Sequence, residues 1–172
     1  MCIRDRVNTI HAYTNDQKLL DVAHVDLFRA RSATESLIPT KTGAASAVGK
    51  VIPELQGKID GIAIRVPTSN VSLLDFTFNT EKNFSIDELN QIIENSINKE
   101  MKGIMDINSI PLVSLDFKGN PHSCVYDKQH TQKIGSSTKI LAWYDNEWGF
   151  ANRMRDLANY VKDKFHKQII AA

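Results

Sequence analysis

The sequence is poor in the residues that build covalently stapled or membrane-embedded proteins. It holds two cysteines in 172 residues, Cys2 and Cys124, too few and too widely spaced for a disulfide framework or a Cys-x-x-Cys metal site. No apolar run approaches the roughly 18 residues of a membrane span, and the start lacks the apolar stretch of a secretory signal. Formal charge is +1, from 21 basic and 20 acidic residues, so no long-range field draws the chain to nucleic acid or to an anionic bilayer. Gly-x-Gly-x-x-Gly never follows a strand, which excludes a dinucleotide-binding βαβ unit from these residues. With 42% hydrophobic residues, the expectation is one soluble, cytoplasmic domain with a real core and no metal, nucleic-acid or membrane partner.

The first six residues, MCIRDR, place three charges directly before the strand-like Val7-Asn8-Thr9-Ile10-His11-Ala12-Tyr13. They resemble a spurious leader and are set aside from fold reasoning, with the expectation that the coding sequence was cut. Further strands are expected at Gly61–Val66, Val71–Asn79, Leu112–Asp116, Ser123–Tyr126 and Thr138–Tyr144, with a turn at Gly119-Asn120-Pro121. Helices are expected from Thr42 to Ile52, stopped by Pro53, from Ser85 to Ile97, opened by the capping box Ser85-Ile86-Asp87-Glu88, and from about Glu147 to Ile169. The last of these should bury Phe150, Met154, Leu157, Ala158, Val161 and Phe165 along one stripe. Strands cluster with few βαβ alternations, so the class is α+β: a mixed, mostly antiparallel sheet with helices on one face.

Four segments carry groups suited to chemistry. In HAYTNDQ, His11 sits near the end of an apolar strand beside hydrogen-bonding side chains, and imidazole titrates near neutrality. A structural strand histidine is the plainer alternative. In PTKTGAA, Thr42 and Gly43 open a helix whose free N–H groups suit an anion, although Thr42 as an ordinary N-cap fits equally. Arg65 lies inside an apolar strand and needs a partner, either a phosphate or a carboxylate such as Asp75. Arg29 and Arg31 offer further anion donors, or a solvated loop face. In AWYDNEWGF, the polar run Asp145-Asn146-Glu147 is framed by aromatics: it either orients a planar ring or caps the last helix.

Taken in order, HAYTNDQ, the Arg-rich loop, LIPTKTGAA, GKVIPEL, IRVPTSNVS and WYDNEWGF closely resemble phosphorylating glyceraldehyde-3-phosphate dehydrogenase, from about Val7 to Phe165. The resemblance implies that His11 is the catalytic base beside a cysteine thiolate that attacks the aldehyde, with hydride leaving for NAD or NADP and inorganic phosphate releasing the acyl group. It assigns Thr14, Arg29 and Arg65 to the substrate phosphate. Thr42 and Gly43, again with Arg65, fall to inorganic phosphate, and Asn146 to the nicotinamide carboxamide. It further implies that Tyr13–Arg31 is a loop lining a neighbouring subunit's cofactor site in a homotetramer. By domain, 7–149 would be the catalytic domain and 150–172 a C-terminal helix packing on an NAD-binding domain outside this chain. The nucleophile's motif would precede His11. Neither Cys2 nor Cys124 has its context, so the 172 residues alone are expected to be inactive. Phe150 stands where many members have tyrosine.

Two rivals are weighed against this. Erythrose-4-phosphate dehydrogenase shares the WGFANRM ending, but Thr14 and the Thr42-Gly43 pair favour the phosphorylating enzyme. A non-catalytic phosphate-binding or assembly module is the other. The sequence does not distinguish NAD from NADP.

Overall fold

Alternating apolar residues make the central segments strands, and the computed structural model of the chain describes residues 2–170, with side chains from 5 to 165. The strands are β1 (Cys2–Ala12), β2 (Ile38–Lys41), β3 (Ile59–Val66), β4 (Ser72–Thr80), β5 (Met105–Asn108), β6 (Cys124–Ile134) and β7 (Ser137–Tyr144). The helices are α1 (Ala44–Val51), α2 (Ile86–Ile97) and α3 (Asn146–Ile170). The strands form one sheet in the order β2-β3-β1-β4-β7-β6-β5. β1 with β3 and β5 with β6 are parallel, while the other four neighbouring pairs are antiparallel, so the mixed α+β class holds. α1 packs on β3, and α2 packs on β5 and β6.

Local chemistry sets several boundaries as expected. Ser85 Oγ accepts from the Glu88 N–H at 3.1 Å, and Glu88 Oε2 accepts from the Ser85 N–H at 2.7 Å, so the capping box opens α2. Close approach of β1 and β3 needs Gly61, because a Cβ there would lie 2.2 Å from the Val7 carbonyl oxygen. Phe117 stacks on Trp143 at 5.4 Å, next to buried Val71 and Val125, forming a small core on one side of the sheet.

Other boundaries are corrected. Leu112–Asp116 is not a strand: residues Ser114–Phe117 form a 3-10 turn, closed by Asp116 Oδ2 accepting from the Val113 N–H at 2.8 Å. The strand lies earlier, at β5. α1 begins at Ala44 with Gly43 as its N-cap rather than at Thr42. Residues 2–6, set aside above, continue β1, and Asp5 pairs with both Ile59 and Phe78 across a register shift at Cys2/Asp5. The α3 stripe is not buried within this chain: Phe150, Met154, Leu157, Val161 and Phe165 are all exposed, Phe150 at 67%. The helix leaves the sheet at Tyr144, and no other described element covers that face.

What joins α3 to the sheet is Asp145, 2% exposed. Its Oδ1 accepts from the Trp148 N–H at 3.0 Å, capping the helix, and its Oδ2 accepts from Asn70 Nδ2 at 3.1 Å and the Gly119 N–H at 2.8 Å. Asp145→Ala removes a buried acceptor shared by three donors, the helix cap among them, and should lower unfolding free energy by about 2 kcal/mol, as measured by chemical denaturation. A loss within about 0.5 kcal/mol, the range of ordinary surface substitutions, would contradict this account.

Candidate active site

Four central strands end in one row. His11 of β1 faces Arg65 of β3 across the parallel ladder. Leu73 faces Ile10, so Ser72 stands one step on, beside His11, and Ser72 in turn faces Tyr144. Because side chains on one row share a face of the sheet, Arg65, His11, Ser72 and Tyr144 converge above it, and Asn146 follows at the start of α3.

His11 is half-buried. Its Nδ1 lies 2.7 Å from the Ala12 carbonyl oxygen and 2.6 Å from Arg65 Nη1, which also donates to that carbonyl at 3.1 Å. A carbonyl only accepts and a guanidinium only donates. Nδ1 can therefore serve Ala12 by carrying the proton or Arg65 by offering its lone pair, and not both. With the proton on Nδ1, facing Ala12, Nε2 is the free basic nitrogen, and it makes no hydrogen bond among the described residues. Burial depresses the ring's pKa below its ordinary 6.5, and the Arg65 charge lowers it further. The Ala12 hydrogen bond and Glu147 pull the other way. The Tyr144 ring stands edge-on at 6.0 Å. Burial raises the Tyr144 hydroxyl, offset in part by hydrogen bonding to Ser72 and Thr9.

Arg65 does not pair with Asp75, which is bound instead by Lys139 at 2.8 Å. Its Nε is buried without a hydrogen-bond partner, an arrangement that favours an anionic ligand. Arg29 reaches the same neighbourhood: Nε and Nη2 donate to Thr40 Oγ1 at 3.1 and 2.8 Å, and Nη1 to Asp16. Thr14 Oγ1 donates to Gln17 Oε1 at 3.1 Å, on the wall of a cavity of about 570 Å³ that Tyr13, Ser69 and Glu147 also line. Thr42 and Gly43 follow the far end of β2 and make no hydrogen bond to this cluster among the described residues. Ile38 is the rung opposite Arg65, and β2 runs from there to Lys41, opposite Ile62, before Thr42. Thr42 Oγ1 accepts from the Ala44 N–H at 3.2 Å. Asn146 Oδ1 accepts from Ser72 Oγ at 2.7 Å, while its Nδ2 is buried and unpartnered.

Burial raises the Cys124 thiol pKa, so it holds little thiolate near neutral pH; the Cys2 side chain lies outside those described. Among the described residues no His, Cys, Asp or Glu cluster could hold a metal, and no helix is long and apolar enough to cross a membrane. Sequence reasoning missed Ser72 and Gln17; neither residue type at its position carries a signal by itself.

A histidine beside a half-buried arginine whose Nε donor is unmet is an arrangement suited to an anionic ligand. The family profile "Glyceraldehyde 3-phosphate dehydrogenase, C-terminal domain" matches residues 3–146, and the chain belongs to that family. The chromosomal glyceraldehyde-3-phosphate dehydrogenase of Cupriavidus necator is 56% identical over 152 residues, covering 88% of this chain and 45% of the relative. That of Pseudomonas aeruginosa is 55% identical with the same coverage. Glyceraldehyde-3-phosphate dehydrogenase 2 of Staphylococcus epidermidis is 47% identical over 160 residues, 92% of this chain and 46% of the relative. The chain thus spans about half the length of these relatives.

The folded ring binds a proton less readily than the unfolded one. His11 therefore contributes stability that is fully present above 6.5 and lost as pH falls from there through the ring's lower folded value. Its ring Cε1–H resonance should titrate below 6.5, and Arg65→Gln should move that midpoint upward. A midpoint unmoved by the substitution would refute the Arg65 contribution.

Proposed function

We propose that the chain is the catalytic half of a phosphorylating glyceraldehyde-3-phosphate dehydrogenase. The whole enzyme would convert glyceraldehyde 3-phosphate and inorganic phosphate to 1,3-bisphosphoglycerate, with NAD or NADP taking the hydride. The observation that carries this reading is Arg65: a half-buried guanidinium whose Nε is buried without a partner, on the same rung as His11. In this reading Arg65 binds the substrate phosphate with Arg29 and Thr14, whose present partners are protein side chains that a phosphate would replace or share. His11 Nε2 takes the substrate hydroxyl proton while Nδ1 stays tied to Ala12. Thr42 and Gly43 offer a hydroxyl and backbone N–H groups to inorganic phosphate at the start of α1.

The unpartnered Asn146 Nδ2 fits a ligand that brings a carbonyl acceptor, as a nicotinamide carboxamide does. When bound, the nicotinamide supplies the hydride acceptor; this chain's part is to hold it. The loop over 13–37 leaves Leu19, Leu20, Val25, Leu27 and Phe28 exposed, which supports a subunit contact in a homotetramer. The attacking cysteine and the dinucleotide-binding domain would be supplied from outside this chain, and the α3 stripe would pack on that domain.

Joining the chain behind the N-terminal half of the Cupriavidus necator relative supplies both. The chimera should reduce NAD with glyceraldehyde 3-phosphate, and its steady-state rate should depend on inorganic phosphate. The 172 residues alone should show no activity. Activity indifferent to phosphate would point to a hydrolysing sister enzyme such as erythrose-4-phosphate dehydrogenase, and NAD reduction by the isolated chain would overturn the division of labour.

A further inference from the structure

Ser72 is 1% exposed, and its hydroxyl joins three elements. Oγ accepts from the Ala12 N–H at 3.1 Å, at the end of β1, and donates to Asn146 Oδ1 at 2.7 Å, at the start of α3. It stands opposite Tyr144 of β7 in the ladder. A hydroxyl has one proton to give, and a backbone N–H only donates. The Tyr144 hydroxyl also bonds to Ser72. With the Ala12 N–H on one lone pair and the Tyr144 O–H on the other, the Ser72 proton goes to the amide oxygen of Asn146. An amide held by its oxygen must present its nitrogen, and Nδ2 is the atom left buried and unpartnered.

The backbone before Ser72 is held in an uncommon shape that aims it there. Val71 has φ +64, the left-handed region, which a β-branched residue rarely adopts. Its N–H donates to its neighbour Asn70 Oδ1 at 2.6 Å, and Asn70 Nδ2 is bound by Asp145. Two adjacent segments are therefore laced twice, Asn70 to Asp145 and Ser72 to Asn146. The first lacing is a fold contact. The second ends on a group with an unmet donor.

We propose that Ser72 is a positioning residue: it fixes which end of the Asn146 amide faces the site and ties that amide to the strand end carrying His11. The proposal rests on Asn146 being the cofactor contact, and the test separates the two ideas. In the chimera, NAD dissociation constants are measured calorimetrically for Ser72→Ala, Asn146→Ala and the double substitution, with melting temperatures alongside. Asn146→Ala should weaken NAD about tenfold, the loss of a buried hydrogen bond, and Ser72→Ala by a similar factor. The double variant should bind no more weakly than Asn146→Ala alone, because Ser72 would act only through that amide. A merely structural serine would instead give losses that multiply, and that outcome overturns the proposal, as does unaltered NAD binding in Ser72→Ala. If Asn146→Ala leaves NAD binding unchanged, the cofactor reading of Asn146 fails and the role of Ser72 falls with it. Should Ser72→Ala not fold, Ser72→Cys keeps the volume with a weaker donor, and the same comparison is made between it and its double variant.

Discussion

The site depends on one buried carboxylate. Asp145 receives three hydrogen bonds, from the Asn70 side chain, the Gly119 backbone and the first turn of α3. An unpaired carboxylate at that depth would be very costly. Three converging donors and the positive end of a 25-residue helix make it tolerable there. The same contacts hold the β3–β4 connection against the β7–α3 junction. They also offset the roughly 1–3 kcal/mol that a left-handed non-glycine residue costs at Val71. Tyr144 and Asn146 flank Asp145 in sequence, so fixing Asp145 fixes both.

What was legible in the sequence was local. The capping box of α2, the stop at Pro53 and the candidate cap at Asp145 each need only a few neighbouring residues, and all three are found. Leu112–Asp116 misled because Pro-Leu-Val-Ser-Leu-Asp-Phe has the apolar content of a strand. A single carboxylate reaching back to the Val113 N–H bends it into a turn instead. β5 was invisible because Met-Asp-Ile-Asn is four residues at a sheet edge, half of them polar. His11 and Arg65 were each singled out as reactive, but they lie 54 residues apart. Only the register of a parallel pair makes them neighbours, and that register is a tertiary property. Ser72 had no signal at all, since a serine entering a strand is ordinary until its partners are known.

The exposed apolar surface follows the same division between local pattern and missing context. The 3.6-residue stripe of α3 is present in the sequence, yet Phe150, Met154, Leu157 and Phe165 are more than half exposed. Periodicity reports that a face is built for burial; it does not report that the burying surface belongs to the same chain. The loop over 13–37 shows the same feature without a helix: it is pinned internally by Arg29 to Asp16 and Arg31 to Asp21, while its leucines point outward. A chain that spans about half of its relatives would carry such faces wherever the remaining half or another subunit covers them.

Electrostatics link Arg65 to His11. Arg65 sits 2.6 Å from the imidazole and disfavours its protonation. Any anion that pairs with Arg65 offsets that charge, so the ring becomes a stronger base when the anion is present than when it is absent. Linkage makes the effect reciprocal: protonating His11 strengthens anion binding by the same factor. The coupling is carried by a contact between side chains on one rung, with no conformational change needed. An arginine two positions earlier in β3 would share its face of the sheet but lie about 7 Å further along the strand, where Coulombic coupling to the ring would be several-fold weaker. The parallel pairing of β1 and β3 therefore does more than build the sheet: it sets how strongly the charge state around Arg65 and the proton affinity of His11 depend on one another.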